Sequence, residues 1–451
     1  MTLYTLAGLK RQNTNDVEMT DSSQPSNLKR TRSNNAPQSK KARHMSNQIV
    51  KAPTQVGKVF VFGTGDTGQL GLGDEMLERK KPMPLNAFDG DEIVDVVSGG
   101  MHSVAITSQG KLWTWGCNDQ RALGRSGEEY EPARVEGMDN VKIVKVACCD
   151  SVTMALSEEG ILYCWGTYRC AEGPLGFSRN KAVQETPAVF EPFAKVQIAD
   201  IAAGTDHCLA LTRDGRVFVW GNGQQFQLGR RIMERHLING LRPEALNLKS
   251  IKLIGTGSYH SFAVSHDNTL YVWGLNNFQQ CGLVDSEETN EPAPNVITKP
   301  TVVTALEGKG TIKDVQGGEH HSLVLMEDGT VYAFGRADSD QLGLPADLIE
   351  KVQTKEEGAE VSNFKRAVGL PTRIPSLKDV VSISTGTNHS IAVTSDGKAY
   401  TWGFGECYAL GNGSSDDEPI PTELTGQKLE GHKVVRVSAG AQHSMILATS
   451  Q

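Results

Sequence analysis

The 451-residue chain lacks several things that common protein classes depend on. Its eight cysteines, at 117, 148, 149, 164, 170, 208, 281 and 407, include no Cys-x-x-Cys pair and no spacing of a disulfide framework. That argues against a zinc module or a stapled secreted scaffold. No run approaches about 18 consecutive apolar residues, so a helical membrane span is excluded, and no membrane partner is expected. The first residues, MTLYTLAGLKRQ, have no apolar core of signal-peptide length, and a reduced cytosolic or nuclear compartment is expected. Signatures of phosphoryl and hydrolytic chemistry are missing too: there is no GxxxxGK[ST], GxSxG or HExxH, and nothing pairs a nucleophile with a base. Gly63-Thr-Gly65-Asp-Thr-Gly68 spells GxGxxG after a strand. Equivalent segments elsewhere in the chain lack those glycines, and no crossover helix follows with an acidic residue about 20 positions on, so a dinucleotide site is rejected.

What is present is glycine, 47 residues, and an uneven charge. Residues 1–57 hold nine Lys and Arg against Asp16, Glu18 and Asp21, a net +6, so the remainder carries −14 of the total −8. This first stretch is rich in Ser, Asn, Thr and Gln and has no apolar periodicity, and it is expected to be a disordered basic tail over 1–57. Two clusters within it, Lys29-Arg30-Thr-Arg32 and Lys40-Lys41-Ala-Arg43, have the composition of a nuclear-localisation or phosphate-binding element. A merely solvated tail is the alternative.

The rest of the chain repeats itself. An alternating strand ending in aromatic-Gly recurs seven times, closing at Gly63, Gly116, Gly166, Gly221, Gly274, Gly335 and Gly403. A second series, Gly-x-x-His-Ser followed by an apolar strand, begins at Gly99, Gly204, Gly257, Gly318, Gly386 and Gly440. A further copy, CDSVTMALS from Cys149, has lost both glycine and histidine. Turn dipeptides such as Asp214-Gly215, Asp328-Gly329 and Asp396-Gly397 join the two series into hairpins. All-β units of about 50 residues that cannot bury both faces alone stack around an axis, which predicts a seven-bladed β-propeller over 58–451. Because the first element of the series stands at Gly63 and the last at Gly440, the strand KVFVFG is expected to pair with SMILA. That pairing closes the ring noncovalently.

A residue repeated in every unit does one job seven times, and the job is expected to be structural. Histidines 102, 207, 260, 321, 389 and 443 share one slot and are expected to pack and hydrogen-bond within each blade, not to bind metal. No metal and no cofactor are expected. Departures from the repeat are more informative. Just ahead of the histidine slot the units carry Asp150, Asp206, Tyr259, Glu319-His320, Asn388 and Gln442, a polar and mostly negative rim suited to Lys or Arg of a partner. Spacing alone leaves ordinary solvated loop tips open. The interval from aromatic-Gly to the next Leu-Gly or Cys-Gly is 8 residues in six units and 10 in the third, so Thr167-Tyr168-Arg169-Cys170-Ala171-Glu172-Gly173 is expected to protrude. An arginine cluster, Arg230-Arg231 with Arg235 and Arg242, follows the fourth unit's Gln-Leu-Gly. The long segments Val284–Pro300 and Pro345–Val368 read as polar surface excursions without an assigned role.

The order Gly-x-x-His-Ser, Asp-Gly-x-Val-Tyr-x-Trp-Gly, Gln-Leu-Gly, repeated from about Lys58 to Ser450, resembles the regulator of chromosome condensation family. The resemblance implies a seven-bladed propeller that acts as a chromatin-bound guanine-nucleotide exchange factor for the Ran GTPase, loading GTP for GDP in support of nucleocytoplasmic transport and of mitotic spindle and nuclear-envelope assembly. Such a factor performs no covalent chemistry and is not an enzyme in that sense. The resemblance makes residues 167–173 the wedge pressed on the GTPase. It assigns exchange roles to Asp150, Asp206, the His320-His321 pair and His443, and contact roles to Asn277 and Arg230. The family wedge is richer in Asp and Asn than TYRCAEG. The basic clusters of the tail are expected to serve an import receptor and to contact DNA without sequence preference, and the resemblance implies a chromatin-associated nuclear protein and the acidic patch of core histones as the partner of the loop bearing Arg231 and Arg235, where the planar guanidinium suits carboxylates. A noncatalytic propeller scaffold is the competing reading.

Overall fold

The structure, a computed structural model, describes residues 46–283, 293–352 and 366–451. Among these, strands form seven four-stranded antiparallel sheets and one separate two-stranded hairpin. Blade 1 consists of Ile93–Ser98, His102–Thr107, Leu112–Gly116 and Ala133–Arg134. Blades 2 to 6 repeat this order with innermost strands beginning at Ile143, Ile198, Ile251, Ile312 and Val380. Blade 7 is shared by the two ends of the propeller: His432–Ala439 and His443–Ser450 pair with Lys58–Thr64 and Glu78–Leu85. Here Val59 lies opposite Leu447, Phe60 opposite Ile446 and Gly63 opposite His443. The innermost strand of each blade lies against its two neighbours, and the last lies against the first. The seven-bladed ring and its noncovalent closure therefore match the repeat.

The second strand of every blade is buried on both faces. Period-two alternation sends its side chains into two different cores. Val104 and Ile106 join the core toward blade 2 with Val146, Ala155 and Trp165. Ala105 joins the one toward blade 7 with Val59, Val61 and Trp115. The aromatic before the repeated glycine is spent on these cores, and Trp115, Trp165, Trp220, Trp273 and Trp402 are fully buried there. Truncating any one of them is expected to cost about 3–5 kcal/mol.

Three expectations need correction. The histidines do not bond within their own blade. Each reaches the hydroxyl of the next: His102 to Thr153, His207 to Ser261, His260 to Ser322, His321 to Ser390, His389 to Ser444 and His443 to Ser103, all at 2.8–2.9 Å. Burial holds these imidazoles below their ordinary pKa, His207 at about 3 and His389 at about 4, so they are neutral bridges between blades.

The second correction concerns the tail, because residues 46–57 belong to the folded body. The Asn47 amide donates to the carbonyls of Ile251 at 2.8 Å and Thr212 at 3.3 Å, while its oxygen meets His266 Nε2 at 3.0 Å. Ile49, Val50 and Ala52 pack on the core of blades 2 and 3. Composition averaged over 57 residues hid this short anchor. The clusters Lys29, Arg30, Arg32, Lys40, Lys41 and Arg43 lie outside the described residues, as do 284–292 and 353–365 of the two long excursions. Within the second excursion Ala346–Val352 forms a helix that buries Ile349 in the core, so that part is not a bare surface loop.

Candidate functional site

The strand register decides which loops share a face. In each blade the residue of the histidine slot pairs with the glycine of aromatic-Gly, as in His207 with Gly221 and Val152 with Gly166. The Gly-x-x-His loops and the loops after aromatic-Gly therefore leave the same end of every sheet. The Gly-x-x-His loops form an inner belt tied from blade to blade by backbone bonds. Asp150 N donates to Thr205 O, Thr205 N to Ser258 O, Ser258 N to Gly318 O and Glu319 N to Thr387 O, at 2.9–3.3 Å.

This belt places Asp150, Asp206, Tyr259, Glu319 and His320 around one mouth. Burial pushes Asp206 up to about 7, reinforced by the charge of Asp150 and opposed by the Arg169 N–H and guanidinium. Asp150 is pushed up to about 6, again chiefly by burial, with Arg169 opposing and Glu319 reinforcing. Burial also raises Glu319, and Arg336 counters it. The Tyr259 hydroxyl is raised by burial and by the charges of Glu319, Asp150 and Asp206. Three carboxylates that sense one another are a focused negative potential, and a cation from a partner would lower the free energy of all three. Gly100 leaves room for this arrangement, since a Cβ there would collide with the Asp150 carboxylate.

His320 is held by different means. Its Nδ1 lies 3.3 Å from the Gln280 amide, which also donates to Asn277 Oδ1 at 3.1 Å. Its ring rests 4.8 Å from Phe278, over which Arg336 is stacked. Burial and then Arg336 lower His320 to about 4, so its contact with Glu319 at 3.7 Å is not an ion pair at neutral pH. Asn277 and His320 are thus brought together as one polar unit on the rim.

The long third-unit loop is a hairpin, Tyr168–Cys170 paired with Gly173–Gly176. It does not protrude from Thr167 onward as expected. Thr167 and Tyr168 are buried, and the hairpin emerges only at Arg169. Its tip, Ala171 and Glu172, is exposed. Arg169 N donates to Asp206 Oδ1 at 3.0 Å, Ala171 N to Gln224 Oε1 at 3.0 Å, and Gln224 Nε2 reaches Glu172 at 3.2 Å. The hairpin is therefore fastened to the acidic rim, and the charge of Arg169 acts on both Asp150 and Asp206. Arg169 was the charge that sequence reasoning left unweighed; the only signal was its place in the long loop.

Three other sequence candidates stand elsewhere. His321 and His443 are wholly buried and bridge blades, with pKa values near 3, so they stand behind the rim and present no surface to a partner. Arg230 turns its guanidinium to the carbonyls of Arg242 at 3.1 Å and Gly240 at 3.5 Å, with Glu244 at 3.7 Å. It braces the loop that displays Arg231 and Arg235, both exposed. Among the described residues no group of three His, Cys, Asp or Glu side chains is arranged to hold a metal ion.

The described residues thus form a seven-bladed ring with a fastened hairpin beside an acidic mouth, the build of a propeller that docks a protein partner. The model of the RCC1-like domain matches residues 58–446, and the chain belongs to that family. It is similar to the guanine nucleotide exchange factor SRM1 of Saccharomyces cerevisiae, 38% identical over 424 residues, covering 86% of each chain. The crystal structure of Prp20p from the same yeast, described with its binding properties to Gsp1p and histones, superposes with a TM-score of 0.81 at 37% identity, covering 90% of this chain and 94% of that one. Yeast RCC1 (Prp20) bound to Kap60 gives a TM-score of 0.83 at 36% identity, covering 94% and 97%.

Proposed function

We propose that this protein is a guanine-nucleotide exchange factor for a Ran-type GTPase and works on chromatin in the nucleus. The observation that carries the reading is the junction of the Tyr168–Gly176 hairpin with Asp150 and Asp206 through Arg169. An exchange factor makes no covalent bond. It accelerates nucleotide release by binding the empty GTPase better than the loaded one, because a ligand shifts an equilibrium only by its differential affinity. Asp150, Asp206 and Glu319 would take basic side chains of the GTPase. Neutral His320, with Asn277, would offer hydrogen bonds beside them. The hairpin tip, Cys170 to Gly173, would enter the region where the GTPase holds phosphate and magnesium. Loading with GTP then follows from the cellular excess of GTP.

The second part of the proposal is chromatin attachment. Exposed Arg231 and Arg235 would meet the acidic patch of core histones. The basic clusters of the tail would bind DNA without sequence preference, and also an import receptor. The histone- and Kap60-binding relatives support this. The test is release of fluorescent GDP from purified Ran by catalytic amounts of the full chain. Acceleration that saturates with Ran is expected. Absence of acceleration, with binding retained, would reject exchange and leave a scaffold.

A further inference from the structure

Tyr168 occupies a position at which the ring otherwise uses backbone. At six interfaces the hydroxyl that follows the histidine slot donates to a carbonyl in the preceding blade's loop: Ser103 to Gln69, Thr153 to Ala122, Ser261 to Gln227, Ser322 to Gln280, Ser390 to Gln341 and Ser444 to Ala409. At four of them the buried indole N–H of Trp115, Trp165, Trp273 or Trp402 shares that same carbonyl or its neighbourhood in the loop. The interface between blades 2 and 3 has no such bond. Its loop is the hairpin, and the Tyr168 hydroxyl takes the carbonyl's place, accepting from Trp220 Nε1 at 2.6 Å and lying 3.2 Å from Cys208 Sγ. Two further positions change with it: Cys208 stands where the other units have Ser or Thr, and Val152 stands where they have His. A buried indole N–H without an acceptor is costly, so the hydroxyl fixes the root of the hairpin against blade 3.

We infer that Tyr168 is the positioning residue of the exchange hairpin: its hydroxyl, bonded to Trp220, sets where Arg169 and Ala171 meet Asp206 and Gln224. The inference rests on the exchange reading for its kinetic consequence, but not for its structural one. A hairpin that acts on the GTPase only as nucleotide leaves should influence kcat more than KM. Blades 5 and 7 carry Phe334 and Phe62 at the tryptophan position, so the ring accommodates an aromatic without a donor there.

The experiment compares Tyr168→Phe, the double variant Tyr168→Phe/Trp220→Phe, and Trp115→Phe in the full chain. Hydrogen–deuterium exchange reads the Arg169 and Ala171 amides, and fluorescent-GDP release from Ran reads kcat and KM. In both Tyr168 variants the two amides should exchange about tenfold faster or more, and kcat should fall about tenfold with KM within about twofold. The double variant should regain thermal stability, since no donor is stranded, without regaining kcat. Trp115→Phe should leave the hairpin amides and kcat unchanged, because no hairpin is rooted there. Amide exchange as slow in Tyr168→Phe as in wild type overturns the inference, as does an equal fall in kcat for Trp115→Phe. A wild-type chain that releases no nucleotide, with amides that still loosen in Tyr168→Phe, instead overturns the exchange reading and supports the positioning role.

Discussion

Asp206 is the rim group whose chemistry changes most across the physiological range. With its carboxyl near 7, about a tenth is ionised at pH 6 and about nine tenths at pH 8. If the ionised carboxylate draws a cation of the GTPase, kcat/KM rises about ninefold between those pH values. Asp206→Asn keeps an oxygen to accept the Arg169 N–H but cannot ionise. Its profile should be far shallower than that of wild type, rising about twofold at most as Asp150, near 6, completes its ionisation, and the ratio of wild type to variant cancels titration within the GTPase. Stability should move the opposite way. An ordinary carboxyl near 3.8 in the unfolded chain and near 7 in the folded one means the unfolded state binds fewer protons over that interval. Stability from this group is therefore full below pH 4 and declines until pH 7. At about 1.4 kcal/mol per unit the decline is on the order of 4 kcal/mol at most, and less once solvent screening of a partly accessible group is counted. Asp206→Asn should thus melt higher than wild type at pH 8 while exchanging nucleotide more slowly. Parallel pH–rate profiles, or a variant that melts lower at pH 8, would refute the reasoning.

Other perturbations follow from the same geometry. Gly100→Ala drives a methyl into the Asp150 carboxylate and should lower nucleotide release on the order of tenfold, measured in the same fluorescence assay, with the ring's β-sheet circular dichroism retained. Asn47→Ala strands the Ile251 and Thr212 carbonyls and should destabilise the folded body by about 1–3 kcal/mol in urea unfolding, without changing exchange at saturating Ran. Removing residues 1–45 should reduce the salt dependence of DNA binding and spare exchange on free Ran, as read by fluorescence anisotropy at several salt concentrations.

The ring was legible because its signals are redundant. Strand ends, hairpin turns and the pairing of KVFVFG with SMILA each follow from a pattern present seven times. Asp150 and Asp206 were legible for the converse reason, since each breaks the repeat beside a fixed slot. Relations between blades were not legible. The bond from His207 to Ser261 joins residues 54 apart, and nothing in a strand's alternation says whether a polar side chain reaches its own blade or the next. Loop length revealed two extra residues in the hairpin but not that Tyr168 would be spent as an internal acceptor. Charges on the innermost strands of five blades were hidden for the same reason. Asp95, Lys145, Asp200, Asp314 and Arg436 all follow the same register shift of the innermost strand, and Lys145 Nζ pairs with Asp200 at 2.6 Å. Asn47 escaped notice because a single anchor in a polar stretch has no period.

On this reading the GTPase sits on the face carrying the acidic mouth and the hairpin. A structure of this chain with nucleotide-free Ran tests it directly. Asp150, Asp206 and the exposed Ala171-Glu172 tip should lie in the interface. A GTPase seated on the opposite end of the sheets, over the turns at Asp214-Gly215 and Asp396-Gly397, would contradict it.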